Sequence, residues 1–206
     1  MRKANKITAT SIAVATLSCG TSLALGPAAV ATPVPRPPAR PTTPSSPGER
    51  AKLKAALPEI SKRLRSASGA PGAARPTMRA ASAYPVWCGS WLRDPAVAYG
   101  KQYMNGSLGR GPNGAWTGMY EGYYGPHWFA WGYLQAPVGS ALAVGWVYLH
   151  TVTYQCGDGN GNSQATVWSG TSTYTSGVRD DEATLFGAAA KVGDQPFQGG
   201  SIGWNG

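Results

Sequence analysis

The sequence predicts an all-β fold, or an α+β fold with one minor helix, arranged as a small β-sandwich or open barrel behind an N-terminal arm. All 8 Trp, 10 Tyr and 3 Phe lie between residues 84 and 206, so only that part of the chain can build a large core. Short runs of β-branched and aromatic residues recur there about every 8–12 residues, between turns rich in Gly, Asp and Ser. An aromatic-rich β domain is therefore expected over residues 84–206.

Residues 143–156 form the most strand-like run of this domain. Apolar and aromatic side chains occupy both its even and its odd positions, which predicts a central strand packed on both faces. The Gly- and Asn-rich residues 157–162 predict a turn, and residues 164–168 predict the returning strand of a hairpin.

Shorter elements are expected on either side of this hairpin. Asp94 precedes Pro95, which predicts the N-cap of a helix that ends near Met104. Residues 171–177, 183–192 and 201–204 predict further short strands.

The N-terminus has the pattern of a secretory signal peptide over residues 1–31. A basic segment is followed by a mostly apolar run, and Ala29-Val30-Ala31 supplies the small residues that signal peptidase requires. An uncleaved anchor and a lipoprotein modified at Cys19 are the alternatives. The pattern predicts a protein that is exported to the cell surface or the medium.

Residues 32–83 predict a proline-rich, basic arm. Residues 32–47 are expected to form an extended, disordered spacer, because proline removes backbone donors. Ser46 and Glu49 then have capping-box spacing, and the apolar residues after them predict a short amphipathic helix. Those apolar residues are Leu53, Leu57, Ile60 and Leu64. The arm is expected to act as a solvated linker or a propeptide, or to contact an anionic membrane or cell wall through the basic side of its helix.

The net charge of +9 does not indicate a nucleic-acid-binding domain. Ten basic residues of the arm face only two acidic ones, and the leader adds three more. The β domain holds five basic and seven acidic residues, a net charge of −2. A phosphate-binding groove needs clustered Lys and Arg on a folded face, and this domain does not supply them.

Cys88 and Cys156 are the two cysteines that follow the predicted leader. An even number of cysteines in an exported protein predicts a disulfide bridge between them. The alternative is a Cys88 nucleophile activated by His127 or His150.

Acidic residues suggest two further candidate sites. Glu121 and Asp94 are candidates for the acid pair of a glycoside hydrolase, with His127 as another loop residue suited to catalysis. The alternating Asp158, Asn160 and Asn162 match the start of a calcium loop, but a turn explains them better because its glycine and glutamate positions are not kept. The sequence therefore predicts neither a metal nor a cofactor.

An aromatic segment at residues 115–134 is the strongest functional signal. Its residues exceed what a small core needs, so some are expected to form a binding surface, by stacking on sugars or filling a protein interface. The candidates are Tyr123, Tyr124, Trp128, Trp131 and Tyr133. The expected function is non-catalytic binding of a cell-wall polysaccharide or a secreted protein. A hydrolase that uses Glu121 and an inhibitor of an extracellular enzyme are its rivals.

The C-terminal third also resembles a family. The order of five short motifs in about the last 65 residues is similar to that of the small spore-associated secreted proteins of filamentous actinobacteria. These motifs are Val147-Tyr148-Leu149, Tyr154-Gln155-Cys156, Ala165-Thr166-Val167, Phe186-Gly187-Ala188 and Gly199-Gly200-Ser201. The resemblance implies an exported, β-rich protein of a mycelial bacterium and no particular activity. Members of that family carry additional cysteines downstream, which this chain lacks.

Overall fold

The computed structural model describes residues 35–41, 46–65, 91–154, 163–181 and 183–204. One α-helix, α1, spans Pro47–Arg63, and two short 3-10 turns lie at Pro95–Val97 and Pro112–Gly114. The strands in chain order are β1 Trp91–Leu92, β2 Tyr99–Tyr103, β3 Gly109–Arg110, β4 Trp116–Tyr124, β5 His127–Gln135, β6 Ala141–Tyr148, β7 Thr151–Thr153, β8 Gln164–Thr166, β9 Ser172–Tyr174, β10 Gly177–Arg179, β11 Leu185–Val192, β12 Gln195–Gln198 and β13 Ile202–Gly203. The expectation of a mostly β fold with a minor helix is confirmed.

The strands form two antiparallel sheets that enclose the main core. The first sheet has the order β1-β10-β5-β4-β2, with β3 and β9 paired at its margins. The second has the order β12-β11-β6-β7, with β8 on β6 and β13 on β11. Met119 and Leu134 of the first sheet pack in one apolar cluster with Val144 and Phe186 of the second. One sheet is curled into a half-barrel.

The longest hairpin, β4–β5, determines which aromatic residues share a face. Its register pairs Tyr123 with Trp128 and Tyr120 with Trp131. Because successive side chains of a strand point to opposite faces, Tyr123 and Trp128 face the main core. Tyr120 and Trp131 lie on the opposite face, in a separate apolar cluster. The aromatic segment therefore contributes to two surfaces.

The predicted central strand at residues 143–156 is shorter than expected. Strand β6 ends at Tyr148, Leu149 and His150 both have positive φ, and β7 then pairs back on β6. Two consecutive residues with positive φ form the type of turn that joins a two-residue hairpin. The prediction of packing on both faces is confirmed for β6 itself, which is buried from Ala141 to Val147.

The helix expected after Asp94 does not form. The Asp94 side chain does accept a hydrogen bond from the Ala96 backbone at 2.9 Å, as an N-cap should. Only one 3-10 turn follows, and the chain then continues as β2, which pairs with β4. Tertiary pairing outweighs the local helix signal here, because β2 covers the edge of β4.

Helix α1 begins with the predicted capping box. The Ser46 hydroxyl accepts from the Glu49 backbone at 3.2 Å, and the Glu49 carboxylate accepts from the Ser46 backbone at 2.8 Å. The imidazole of His150, at the β6–β7 turn, lies 2.8 Å from the same carboxylate. His150, a possible base by its sequence, thus has an exposed side chain that lies beside the helix N-terminus.

The apolar face of α1 covers the outer side of the second sheet. Leu53, Leu57, Ile60 and Leu64 are all buried there, against Val147 and Leu185. Gly145 and Gly187 allow the close approach, since a Cβ atom at Gly187 would lie 2.5 Å from Leu57 Cδ1. The helix thus differs from a solvated linker: it belongs to the compact unit Val34–Gly206 and completes its second apolar cluster.

The capping box predicts a pH-dependent share of the stability. Hydrogen bonding from the Ser46 backbone, and then from His150, holds the pKa of Glu49 below its ordinary value. A carboxyl group whose pKa is lower in the folded than in the unfolded protein stabilises the fold at pH values above its unfolded-state pKa. This stabilisation is lost as the pH falls through the folded-state pKa. Glu49→Gln should therefore lower the free energy of unfolding by about 0.3–1 kcal/mol at neutral pH and by almost nothing once wild-type Glu49 is protonated. Urea denaturation between pH 7 and pH 3 measures this difference. A constant difference across that range would contradict it.

Several expectations fall on residues outside the described part of the chain. The signal peptide at residues 1–31, the proposed boundary near Ala83 and the bridge between Cys88 and Cys156 remain predictions. The same applies to the calcium-loop positions Asp158, Asn160 and Asn162.

Candidate binding groove

Residues 35–41, hereafter the strap, lie across the core-facing side of the β4–β5 hairpin. The strap has no regular secondary structure, and side chains of the hairpin hold it. The Tyr123 hydroxyl donates to the Pro35 carbonyl at 2.7 Å, and the Trp128 indole nitrogen donates to the Pro38 carbonyl at 3.0 Å. The surface that the strap covers, which includes Tyr123 and Trp128, is hereafter called the groove.

Glu121 forms the polar end of this groove. It lies on β4, on the same face as Tyr123, and its side chain is 4% exposed. Arg40 of the strap donates to Glu121 Oε1, and the Gln102 amide donates to the same oxygen at 2.5 Å. The other carboxylate oxygen, Oε2, is buried without a hydrogen bond among the described residues. Because a buried charge is stable only when it is paired, Arg40 compensates Glu121 in this state.

The guanidinium of Arg40 also contacts an aromatic wall. Its central carbon lies 5.1 Å from the Trp128 ring centroid, within the range of a cation–π interaction. A carboxylate and an indole face therefore hold the same cation. A small pocket of about 160 Å³ adjoins the ion pair, lined by Arg40, Gln102, Tyr103, Met104, Asn105, Glu121, Gly203 and Trp204. The arrangement holds the planar guanidinium of Arg40, which belongs to the strap.

The five predicted binding aromatics do not form one surface. Tyr123 and Trp128 line the groove and are 5% and 7% exposed beneath the strap. Tyr124 and Tyr133 lie on the opposite face of the hairpin, and Trp131 is buried there against Leu92 and Ala98. The pleat of the strands separates the two groups.

A second aromatic row follows the outer face of the hairpin. The ring centroid of Tyr120 lies 5.5 Å from that of Tyr133 and 5.6 Å from that of Tyr103. The ring centroids of Trp116 and Tyr133 are 5.0 Å apart. Burial, together with the neighbouring phenols of Tyr133 and Tyr103, raises the pKa of Tyr120. Each residue of the row is half-buried.

The candidate catalytic residues Glu121, Asp94 and His127 each have structural partners. Glu121 is the only acidic residue among the described residues that line the pocket. Asp94 caps a 3-10 turn and accepts a hydrogen bond from Tyr174 at 3.0 Å. His127 lies 3.1 Å from Asp180, whose other oxygen accepts from the Trp128 backbone. These contacts stabilise local structure and do not assemble a second acid beside Glu121.

His127, Asp180 and Asp181 could offer ligands to a cation. One potential ligand atom from each lies within 4.8 Å of the others. However, Arg179 binds both oxygens of Asp181 at 2.5 and 2.7 Å. Burial raises the pKa of Asp181, but these bonds outweigh it and give a net lowering. The cluster is explained by its internal pairs, which anchor β10 to β5.

Sequence reasoning missed the strap, Arg40 and Gln102 as parts of the site. The proline spacing indicated an extended segment, but nothing local indicated what that segment would contact. One available signal was the coincidence of an arginine in a proline-rich segment with a single glutamate in an aromatic strand.

Comparisons with known proteins found no matching family model, no matching curated protein and no matching solved structure. Within the described residues, no helix combines the length and the apolar character needed to cross a membrane.

Proposed function

We propose that this protein is an exported, non-catalytic binding protein whose ligand is an extended segment of an extracellular protein, held in the groove of Tyr123, Trp128 and Glu121. The supporting observation is that the groove already holds an extended peptide, the strap. Its two aromatic donors bind backbone carbonyls, which every protein segment offers. A ligand therefore binds by displacing the strap.

Glu121 is a binding group in this proposal. Glycoside hydrolysis needs a second carboxyl group at a defined distance, and Glu121 instead has Arg40 and Gln102 as partners. A carboxylate with a cation beside it and an indole below that cation matches recognition of a positively charged side chain.

The outer aromatic row supports a second candidate, binding of a cell-wall glycan. Trp116, Tyr120 and Tyr133 are half-buried in a connected row, and the described strap contacts lie on the opposite face. Sugar rings stack on such faces. The two candidates use different faces of one hairpin, so single substitutions separate them.

The test compares the wild-type chain with a variant in which residues 35–41 are replaced by Gly and Ser at equal length. Both are presented with a display library of random peptides and with insoluble peptidoglycan, chitin and cellulose. The strap-replaced protein should enrich peptides, and Trp128→Ala in that background should weaken their binding at least about tenfold, as expected for a central aromatic contact. Tyr133→Ala, on the outer face, is the matched control and should leave peptide binding unchanged.

Three outcomes would contradict the proposal. Enrichment of no peptide by the strap-replaced protein would remove the groove as a binding site. Retention on a glycan that is lost with Tyr133→Ala but kept with Trp128→Ala would favour the outer row. Release of sugars that is abolished by Glu121→Gln would show a hydrolase.

A further inference from the structure

The strap indicates which kind of segment the groove selects. Its sequence is Pro-Arg-Pro-Pro-Ala-Arg-Pro, in which four of seven residues are proline. Such a sequence favours the polyproline II helix, which has three residues per turn and no internal hydrogen bonds. The two carbonyls bound by the groove belong to Pro35 and Pro38, three residues apart. They therefore lie on one side of that helix, where Tyr123 and Trp128 can reach both.

The arginine supplies the second element of recognition. Arg40 follows Pro38 by two residues, and its guanidinium meets both the Glu121 carboxylate and the Trp128 ring. A guanidinium suits this site better than an ammonium group, because it is planar and less strongly hydrated and so can stack on the indole while it donates to the carboxylate. Arg36 of the same strap is exposed, so the groove distinguishes the two arginines by position.

We infer that the groove, if it is the binding site proposed above, selects polyproline II segments of another protein that carry an arginine two residues after the second bound carbonyl. Aromatic-lined grooves recognise proline-rich segments in this way because the ligand loses little conformational entropy on binding. The strap is then an internal competitor. The apparent association constant for an external segment then equals the intrinsic constant multiplied by the fraction of molecules in which the strap has left the groove.

The test measures binding of synthetic peptides to the strap-replaced protein by isothermal titration calorimetry. The reference peptide has the sequence of residues 33–43, and its variants carry Arg40→Ala, Arg40→Lys or Arg36→Ala. Loss of the charged hydrogen bond should weaken the Arg40→Ala peptide roughly ten- to a hundredfold. The Arg40→Lys peptide should bind with intermediate affinity, and the Arg36→Ala peptide should bind like the reference. Tyr123→Phe in the protein removes one donor without removing the ring and should weaken the reference peptide, whereas Tyr124→Phe should not.

The outcomes separate this inference from the proposed function. If the strap-replaced protein enriches library peptides that lack arginine and proline, and Trp128→Ala abolishes their binding, the groove is a binding site but the selectivity is wrong. Equal affinity for the Arg40→Ala and Arg36→Ala peptides overturns the selectivity directly. Concentration-dependent dimers of the wild-type chain that Arg40→Ala abolishes would identify a second copy of this chain, and not another protein, as the source of the segment. Absence of any peptide binding overturns both proposals.

Discussion

Replacing Leu57 by alanine is expected to lower the free energy of unfolding by about 2–5 kcal/mol, the usual cost of truncating a fully buried leucine. Leu57 is 1% exposed, and its side chain extends from helix α1 onto the second sheet at Gly187. If the helix were only a solvated linker, the same change would cost almost nothing. Urea denaturation followed by tryptophan fluorescence gives the value. Leu108→Ala, at a residue that is 45% exposed, is the control.

A double-mutant cycle tests the same contact more specifically. Gly187→Ala alone should cost about 1–3 kcal/mol, because its Cβ atom would lie 2.5 Å from Leu57 Cδ1. In the Leu57→Ala background the added methyl group enters the vacated space. The double variant should therefore be more stable than the two separate losses imply, by at least about 0.5 kcal/mol. Strict additivity would mean that the helix does not lie on Gly187.

The second large effect concerns the ion pair between the strap and the hairpin. Arg40→Ala leaves the Glu121 carboxylate beside Gln102 without its cation, and it should destabilise the protein by about 1–3 kcal/mol. The value lies below that of a fully buried pair, because the Arg40 side chain is 36% exposed. Arg36→Ala, which removes the same charge from an exposed position of the strap, should change stability by less than about 0.5 kcal/mol.

The pairing itself is tested by removing the charge of Glu121. In a Glu121→Gln background, Arg40→Ala should cost clearly less than in the wild type, with a coupling energy of about 1–3 kcal/mol. Chemical denaturation of the four proteins measures that energy. A coupling near zero would show that the strap is held without this ion pair.

The fold was predictable where the pattern is local and periodic. The capping box of Ser46 and Glu49 determines the start of the helix, and the strand-like residues from Ala143 to Tyr148 indicate β6. The division of the aromatic residues between two faces was also within reach, because Tyr123 and Tyr124 are adjacent and must point to opposite faces of one strand. The same rule, applied along the aromatic segment, separates its binding candidates into two groups from the amino-acid order alone.

The errors arose where a distant partner outweighed a local signal. Asp94 and Pro95 begin a helical turn, but pairing with β4 extends the following residues as a strand. Leu149 and His150 follow a strand-like run without a break in the pattern, yet both adopt positive φ in a hairpin turn, a conformation that leucine rarely adopts. The composition of residues 32–47 indicates a spacer because prolines exclude helix and sheet. Composition does not show that an extended segment can bind to a groove of its own chain.

The strap occupies the groove through Arg40 and Trp128, and nuclear magnetic resonance of the full-length chain tests this central claim most directly. The indole N–H signal of Trp128, assigned by its loss in Trp128→Phe, should show nuclear Overhauser contacts to Arg40 and Pro38. The ring should also shift the Arg40 side-chain signals upfield. Replacing residues 35–41 by Gly and Ser should move the indole signal and speed its exchange with water. A Trp128 indole signal without these contacts, and unchanged by the replacement, would contradict the claim.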